Sequence, residues 1–203
     1  MTSNLSTLRT LLILTLFLLA GLVTAFILSP RTTTLEQPLL HKLGGDFTLT
    51  SASGTTSLAD FRGQVVALYI GYASCPDVCP TSLAVMAQAL KDLNPAELEQ
   101  IQPLFISVDP ERDTPQRLAE YSHFFHPKML GLTGNREQID QIVNQYGAFY
   151  RIVDLKDSAM GYAVDHSSRI YLINKQGQLS QTLMHGSMPN ELVTYLRQLL
   201  AET

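Results

Sequence analysis

Apolar residues follow two different spacings along the chain, and each spacing predicts a type of element. Val65–Gly71 is apolar throughout, which is typical of a strand that is buried on both faces. Leu104–Val108 repeats the pattern and predicts a second buried strand. Between them, apolar residues in Thr81–Leu93 recur at helical spacing, so we expect a helix to connect the two strands.

Start signals predict three further helices. Thr114 precedes Pro115, and a capping side chain followed by proline at the first helical position is a common helix start. Asn135 and Gln138 have the spacing of a capping box. The predicted helices begin at Pro115, Arg136 and Pro189.

Turn residues between strand-like segments predict two hairpins. Asp46–Thr50 alternates between polar and apolar residues and is followed by a turn at Ser53 and Gly54. Near the other end, a turn at Asn174–Gly177 separates two strands and predicts the second hairpin. Ser57–Phe61 is predicted to form a short helical turn. The remaining strand-like or short segments are Met129–Leu132, Phe149–Val153, Arg169–Ile173 and Gln178–Met184.

After the first hairpin the elements run in the order β-α-β-α-β-α-β-β-α. This order predicts an α/β protein with a thioredoxin-like fold, in which helices flank a central mixed sheet, and with an N-terminal hairpin extension. Open α/β sheets place their binding sites at the carboxyl ends of the strands. We therefore expect the functional residues to follow Val65–Gly71.

The N-terminal segment differs from the rest of the chain. Leu11–Leu28 contains no charged residue and would reach about 27 Å as a helix, close to the thickness of the hydrocarbon core of a membrane. A signal peptide cleaved near Val23–Ala25 is the alternative, but its apolar core is usually shorter, about 7–15 residues. An uncleaved membrane-anchor helix with the amino terminus inside is therefore the favoured interpretation.

These patterns divide the 203 residues into four parts: a short N-terminal segment (1–10), a transmembrane anchor (11–28), a polar linker (29–43) and a folded domain (44–203). The net charge of −4 argues against a nucleic-acid partner. The short N-terminus has no arginine-rich presequence, which favours a bacterial inner membrane over an organelle. We expect a single-pass protein with its C-terminal domain in the periplasm.

Cys75 and Cys79 are the only cysteines, and they follow the first buried strand in a Cys-Pro-x-x-Cys-Pro sequence. Two cysteines are too few for a disulfide framework, so redox or metal chemistry is favoured. In the first turn of a helix, residues four apart have Cβ atoms about 5–6 Å from each other, so both thiols can reach one metal ion or move into disulfide range. Helix amides would lower the thiol pKa values, and thiolates are soft donors that suit Cu(I) and Zn(II).

Two sulfurs leave a metal ion under-coordinated, and one of the five histidines is a candidate third ligand. His166 is predicted in a loop just before Arg169–Ile173, at the same sheet edge as the cysteines. From the residues alone, a loop histidine that only hydrogen-bonds the backbone is the more common case. The role of the charged run Asp109–Asp113 is equally undecided, because a solvated loop with a helix cap would have the same sequence pattern.

Four motifs, in this order, resemble the Sco/SenC family of membrane-anchored copper proteins. The motifs are Gly71–Tyr72 with Cys75–Pro80, then Ser107–Pro115, Gly131–Gly134 and Val164–Ser168. The resemblance extends from Gly44 to Leu200 and includes the N-terminal anchor. Ala73 and Ser74 depart from the threonine and the bulkier residue that are common before the first cysteine, which bears on partner contact more than on metal binding.

The resemblance implies that Cys75, Cys79 and His166 bind one copper ion, as Cu(I) or Cu(II). It also implies that the two cysteines can form a redox disulfide, and it assigns no catalytic residue. Hard carboxylates suit Cu(I) poorly, so the neighbouring acidic residues are expected to order the site or to contact a partner. These acidic residues are Asp77, Asp109 and Asp165.

The implied function is that of a copper metallochaperone rather than an enzyme. It would deliver copper to, or prepare, the dinuclear copper site of cytochrome c oxidase subunit II. Other periplasmic copper chaperones or thiol reductants are further implied partners. The alternative is a thiol–disulfide oxidoreductase that reduces the cysteines of subunit II, although dedicated enzymes of that kind use Cys-x-x-Cys. A peroxiredoxin-like peroxidase is a more distant third.

Overall fold

The computed structural model describes residues 3–28, 43–156, 158 and 160–202. The chain divides into two compact units, residues 1–36 and 37–203. The predicted linker, residues 29–43, lies outside the described residues except for Leu43. His41, one of the five histidines, also lies outside them.

The first unit contains helix α1, Ser3–Leu28. Residues 11–28, for which the sequence predicts a membrane anchor, are therefore helical. Among the residues that the structure describes, no helix is both long enough and apolar enough to cross a membrane. The anchor is not confirmed and stays a prediction from the sequence.

The second unit alternates strands and helices along the chain. Its described strands are β1 Thr48–Ser51, β2 Gly54–Ser57, β3 Val65–Gly71, β4 Ile101–Ser107, β5 Leu130–Leu132, β6 Tyr150–Asp154, β7 Tyr162–His166, β8 Arg169–Ile173 and β9 Leu179–Met184. Its described helices are α2 Val78–Lys91, α3 Pro95–Glu99, α4 Pro115–Phe125, α5 Arg136–Gln145 and α6 Pro189–Ala201, with a 3-10 turn at Leu58–Phe61.

Five of these strands form the central sheet, in the order β5-β4-β3-β8-β9. β3 is the middle strand, and all seven of its residues are buried. It pairs in parallel with β4, where Gly71 lies beside Ser107, and antiparallel with β8. A strand covered on both faces and both edges needs a continuous apolar run, which is the pattern that predicts it. The sheet is therefore mixed, as expected.

The predicted N-terminal hairpin is present. β1 and β2 pair antiparallel, with Ser51 beside Gly54, and Gly54 has a φ of +119°, which residues with a Cβ rarely adopt. Thr50 and Thr133 exchange two backbone hydrogen bonds of 2.8 and 3.0 Å. These bonds join the hairpin to the segment that follows β5.

The region around β4 differs from the prediction. The strand begins at Ile101 rather than Leu104 and includes Pro103, although proline is usually excluded from inner strands because it lacks an N–H group. β5 pairs only with Leu104–Ile106, so Pro103 lies outside that pairing. Helix α3, capped by Asn94, has no counterpart in the prediction, because five residues are too few to show helical periodicity.

β6 and β7 form a separate antiparallel hairpin outside the central sheet. The sequence predicts β6 but not β7, and it predicts a loop for His166. His166 is instead the last residue of β7, opposite Tyr150 of β6. Most residues of the two strands are exposed or half-buried, so the hairpin lacks the apolar run that marks a core strand.

Gly131 of β5 lies against the backbone of α4. A Cβ at this position would overlap the carbonyl group of Leu118. We therefore expect Gly131→Ala to lower the free energy of unfolding by about 1–3 kcal/mol, since the backbones must separate to admit a methyl group. Urea unfolding measures this loss.

The control is Gln141→Ala, which shortens an exposed side chain on α5. Its effect should stay within about 0.5 kcal/mol. An equal unfolding midpoint for Gly131→Ala and the parent protein would mean that the contact between β5 and α4 is not tight.

Candidate metal centre

The three predicted ligands come from different elements and meet at one point. Cys75 lies in the loop after β3, Cys79 in the first turn of α2, and His166 at the end of β7. Their sulfur and imidazole nitrogen atoms lie within 4.8 Å of one another. Because α2 begins at Val78, the two cysteines do not share the first helical turn. The Cys75 N–H instead donates to the carbonyl of Tyr72 at 3.2 Å, which turns the loop back.

The start of α2 explains the two other residues of the cysteine motif. Pro80 occupies the first turn, where amide groups have no partner within the helix, so its missing N–H costs nothing there. Asp77 is the residue that precedes the helix, and its side chain makes no capping hydrogen bond. Asp77 is exposed, and its carboxylate is not part of the group of three potential ligands found among the described residues.

His166 is oriented by contacts on both sides of its ring. Its Nε2 atom lies 3.2 Å from the sulfur of Cys79, and its Nδ1 atom lies 3.2 Å from the carbonyl oxygen of Ser167. A carbonyl oxygen can only accept, so this hydrogen bond needs the proton on Nδ1, which in the neutral ring leaves Nε2 with its lone pair. The tautomer with a free Nε2 is the one that can bind a metal ion at this point.

The two thiols differ in burial and in proton affinity. Cys79 is fully buried, whereas Cys75 keeps 9% of its surface exposed. A hydrogen bond from Cys79 lowers the pKa of Cys75 to about 3, although burial acts in the opposite direction. Burial raises the pKa of Cys79, and its interaction with Cys75 adds to that effect. The pair therefore shares one proton, with the thiolate on the more accessible Cys75.

The buried sulfur of Cys79 fits against Gly71, at the end of β3. A Cβ on Gly71 would lie 2.6 Å from that sulfur, so only glycine leaves it room. The rings of Tyr69 and Tyr72 stand nearly perpendicular to the imidazole of His166, with centroid distances of 6.3 and 5.7 Å. Sequence reasoning assigns no role to these three residues, although Gly71 and Tyr72 belong to the quoted motif.

Asp113 holds the loop that carries Cys75. Its carboxylate is fully buried, and it accepts hydrogen bonds from the Ala73 N–H at 2.8 Å and from the Ser107 hydroxyl at 2.6 Å. Its other oxygen lies 3.7 Å from the guanidinium of Arg117. Asp113 therefore links the acidic run after β4 to the loop that carries Cys75.

Asp109 instead holds the hairpin that carries His166. Its carboxylate is buried, and it accepts hydrogen bonds from Arg112 at 2.5 Å and from the hydroxyl of Tyr162 at 2.7 Å. The guanidinium of Arg112 lies 3.7 Å from the centre of the Tyr162 ring and also donates to the Tyr162 carbonyl at 2.9 Å. Because Tyr162 is the first residue of β7, these contacts link the β4 loop to the strand that ends at His166.

Asp165 lies away from the three potential ligands. It pairs at 2.6 Å with Arg151, its cross-strand neighbour on β6, and both side chains are more than half exposed. Successive residues of a strand point to opposite faces, so Asp165 and His166 do not share a face. Asp165 therefore does not support the three potential ligands. Contact with a partner is the role that fits its exposed position.

The donor atoms fit a soft metal ion. Two thiol sulfurs and one imidazole nitrogen favour copper or zinc over magnesium or calcium, which prefer oxygen ligands. Within the described part of the chain, no carboxylate belongs to the group. The site can therefore bind a soft ion, and its thiol pair can also exchange with disulfides.

Comparisons with known proteins identify relatives of this chain in sequence and in fold. A family model described as SCO1/SenC matches residues 36–201. An SCO2-like protein of Rickettsia conorii is 41% identical over 157 residues, which cover 77% of this chain and 76% of that protein. The structure of Bradyrhizobium japonicum ScoI with copper bound is 33% identical, with a TM-score of 0.70, and the match covers 78% of this chain and 99% of that one. Yeast Sco1 with copper bound is 31% identical, with a TM-score of 0.70 and coverage of 80% and 90%. The predicted α/β fold with helices around a mixed sheet is thereby confirmed.

Replacing Asp113 by alanine would leave the Ala73 N–H and the Ser107 hydroxyl without an acceptor. A buried polar group that loses its partner costs about 1–3 kcal/mol, so we expect the free energy of unfolding to fall by roughly 2–5 kcal/mol. Urea unfolding of the reduced protein measures the change.

Asp165→Ala is the matched control, because it removes the same type of side chain from an exposed ion pair. Its loss should not exceed about 1 kcal/mol. Equal losses for the two variants would contradict the assignment of Asp113 as the residue that holds the cysteine loop.

Proposed function

The chain belongs to the SCO1/SenC family, and we propose that it binds one copper ion through Cys75, Cys79 and His166 and delivers it during the assembly of cytochrome c oxidase. The observation that carries this proposal is the convergence of two sulfurs and one imidazole nitrogen within 4.8 Å. Related proteins of Bradyrhizobium japonicum and yeast have been solved with copper bound, which supports copper as the ion.

The donor set suits Cu(I) as cargo. Cu(I) prefers soft ligands, and two thiolates with one neutral imidazole give a three-coordinate site. Binding requires the proton that the thiol pair shares to leave, so copper uptake and proton release are coupled. His166 can bind through Nε2 when its ring is neutral and its proton is on Nδ1, where the Ser167 carbonyl accepts it.

Delivery requires that the ion can leave again. Cys75 retains some exposure and lies in a loop, whereas Cys79 is fully buried in helix α2. A partner thiolate would therefore reach the ion from the side of Cys75. The proposed receiver is the dinuclear copper site of cytochrome c oxidase subunit II, and the support for it is the family to which the chain belongs. Asp77 lies between the two cysteines in the sequence and Asp165 precedes His166; both are exposed, and we propose that they contact this partner.

Thiol–disulfide exchange is the second candidate function. Both cysteines are free thiols in the structure, and their interaction lowers the pKa of Cys75 to about 3. Cys75 would therefore be the attacking thiolate and Cys79 the resolving thiol, which together form the proposed redox disulfide. The two functions are compatible, because transfer of copper to a partner needs reduced cysteines on both proteins.

An anaerobic Cu(I) titration against a competing chelator tests the copper proposal. We expect one tight equivalent in the reduced protein. Cys75→Ala, Cys79→Ala and His166→Ala should each weaken affinity by more than about 100-fold, since even residues that only orient ligands contribute about 10–100-fold. His123→Ala is the control, because His123 is exposed at the end of α4, and it should bind as the parent does.

The same variants separate the two functions. If His166→Ala binds Cu(I) as tightly as the parent, or if no stoichiometric site appears, the copper proposal fails and thiol–disulfide exchange becomes the leading function. Loss of copper affinity in His166→Ala, with thiol exchange retained, would support delivery of copper.

The proposal also includes an N-terminal anchor over residues 11–28 in a bacterial inner membrane, with the C-terminal domain in the periplasm. Its support is the run of eighteen uncharged residues in the sequence, which is helical in the structure. We expect the full chain to stay with the membrane fraction after an alkaline wash, whereas a chain that starts at residue 37 should be released. Release of both chains would refute the anchor.

A further inference from the structure

A second cluster of soft donor side chains lies apart from the three ligands already described. Met184 ends β9, His185 follows it, and Met188 precedes helix α6. All three line one pocket of about 220 Å³, whose other lining residues come from α2, β8 and the loop into α6. The two methionines are 59% and 64% exposed, so their thioethers are not used in the core.

The backbone holds these residues in a compact turn. The N–H of Ser187 donates to the carbonyl of Met184 at 3.2 Å, and Gly186 has a φ of +91°, as expected at the third position of a type II turn. Met188 is held on the other side, because its carbonyl accepts from the N–H of Leu192 in the first turn of α6. The turn and the start of α6 thereby place all three residues along the same pocket.

Two contacts of His185 place the pocket beside the cysteine site. Its Nδ1 atom lies 3.1 Å from the hydroxyl of Ser82, which follows Cys79 by three residues on α2. Its backbone N–H donates to the carbonyl of Ser168 at 2.9 Å, and Ser168 follows His166 by two residues. The pocket and the cysteine site are therefore supported by the same helix and by the same connection between β7 and β8.

We propose that Met184, His185 and Met188 form a second binding site for Cu(I), next to the cysteine site and independent of its thiols. Thioether sulfur and imidazole nitrogen are ligands that suit Cu(I). When Nδ1–H of His185 donates to Ser82, Nε2 keeps its lone pair for the ion. All three ligands are neutral, so the site binds more weakly than one that contains two thiolates.

The chemistry of the pocket favours this ion over other occupants. Within the described residues, no carboxylate lines the pocket, which disfavours calcium and magnesium. Exposed methionines are also common on apolar docking surfaces. A docking surface of that kind, however, does not require an imidazole. Here His185 lies between the two methionines in the sequence, and a hydrogen bond to Ser82 orients its ring.

The test uses the full chain in mild detergent, with Cys75→Ser/Cys79→Ser to remove the thiolates and with carbon-13 in the methionine methyl groups. Cu(I) is added without oxygen and followed by methyl NMR, which this diamagnetic ion does not broaden. We expect the Met184 and Met188 signals to shift and to saturate at one equivalent. Met129, which is buried, and Met160, which is 38% exposed but does not line the pocket, should not move.

A matched pair of variants separates ligation from apolar contact. Met184→Leu/Met188→Leu keeps side-chain volume and apolar surface but removes both sulfurs, and it should weaken Cu(I) binding in the thiol-free chain at least tenfold. Met160→Leu should leave the affinity unchanged. Unchanged affinity in the double leucine variant would overturn the proposal and leave the methionines as an apolar surface.

This design tests the second site and the cysteine site independently of each other. If the parent chain binds one Cu(I) at its cysteines while the thiol-free chain shows no methyl shifts, the second site is overturned and the proposed function stands. If the thiol-free chain responds as expected but the parent has no tight cysteine-dependent equivalent, the second site stands and the proposed function fails.

Discussion

Two buried carboxylates in the turn after β4 hold the two parts of the metal centre in place, the loop that carries Cys75 and the hairpin that carries His166. Asp113 binds the backbone of the loop that leads to Cys75, and Asp109 binds Arg112 and Tyr162 at the start of the strand that ends at His166. A buried charge costs several kcal/mol unless it is paired and hydrogen-bonded, so these contacts are directional and hard to exchange for others. They join a loop and a hairpin that lie outside the paired strands of the central sheet.

This arrangement separates the stable part of the domain from the part that handles the ion. β3 and its neighbours are buried along their whole length, whereas the three potential ligands come from a loop, a first helical turn and a strand end at one edge of the sheet. The buried Cys79 and the oriented His166 give that edge a fixed frame. Cys75, which keeps 9% of its surface exposed, is the less buried of the two cysteines.

The methionine pocket extends the same edge. Its histidine is held by Ser82 and Ser168, which lie one turn or less along the chain from Cys79 and His166. A site of neutral ligands beside a site of thiolates would give one soft ion a weaker and a stronger binding site. Both sites would be supported by α2 and by the connection between β7 and β8. Both positions depend on α2 keeping its place against β3 and on the connection between β7 and β8.

The sequence by itself determined the elements whose patterns are strong and local. The apolar run of β3, the cap at Thr114 and the cysteine spacing each carry their signal within a few residues, and the motifs with His166 point to the family. Only the tertiary structure decided how His166 reaches Cys79, because it places the histidine on a hairpin strand without an apolar pattern. The tertiary structure likewise decided the roles of Asp113, Arg112 and Gly71. Asp113 and Arg112 bind residues that lie far along the chain, and Gly71 leaves room for the sulfur of Cys79 because it has no side chain. Local patterns are set by neighbouring residues, whereas buried hydrogen bonds and close backbone approaches exist only once distant segments have packed.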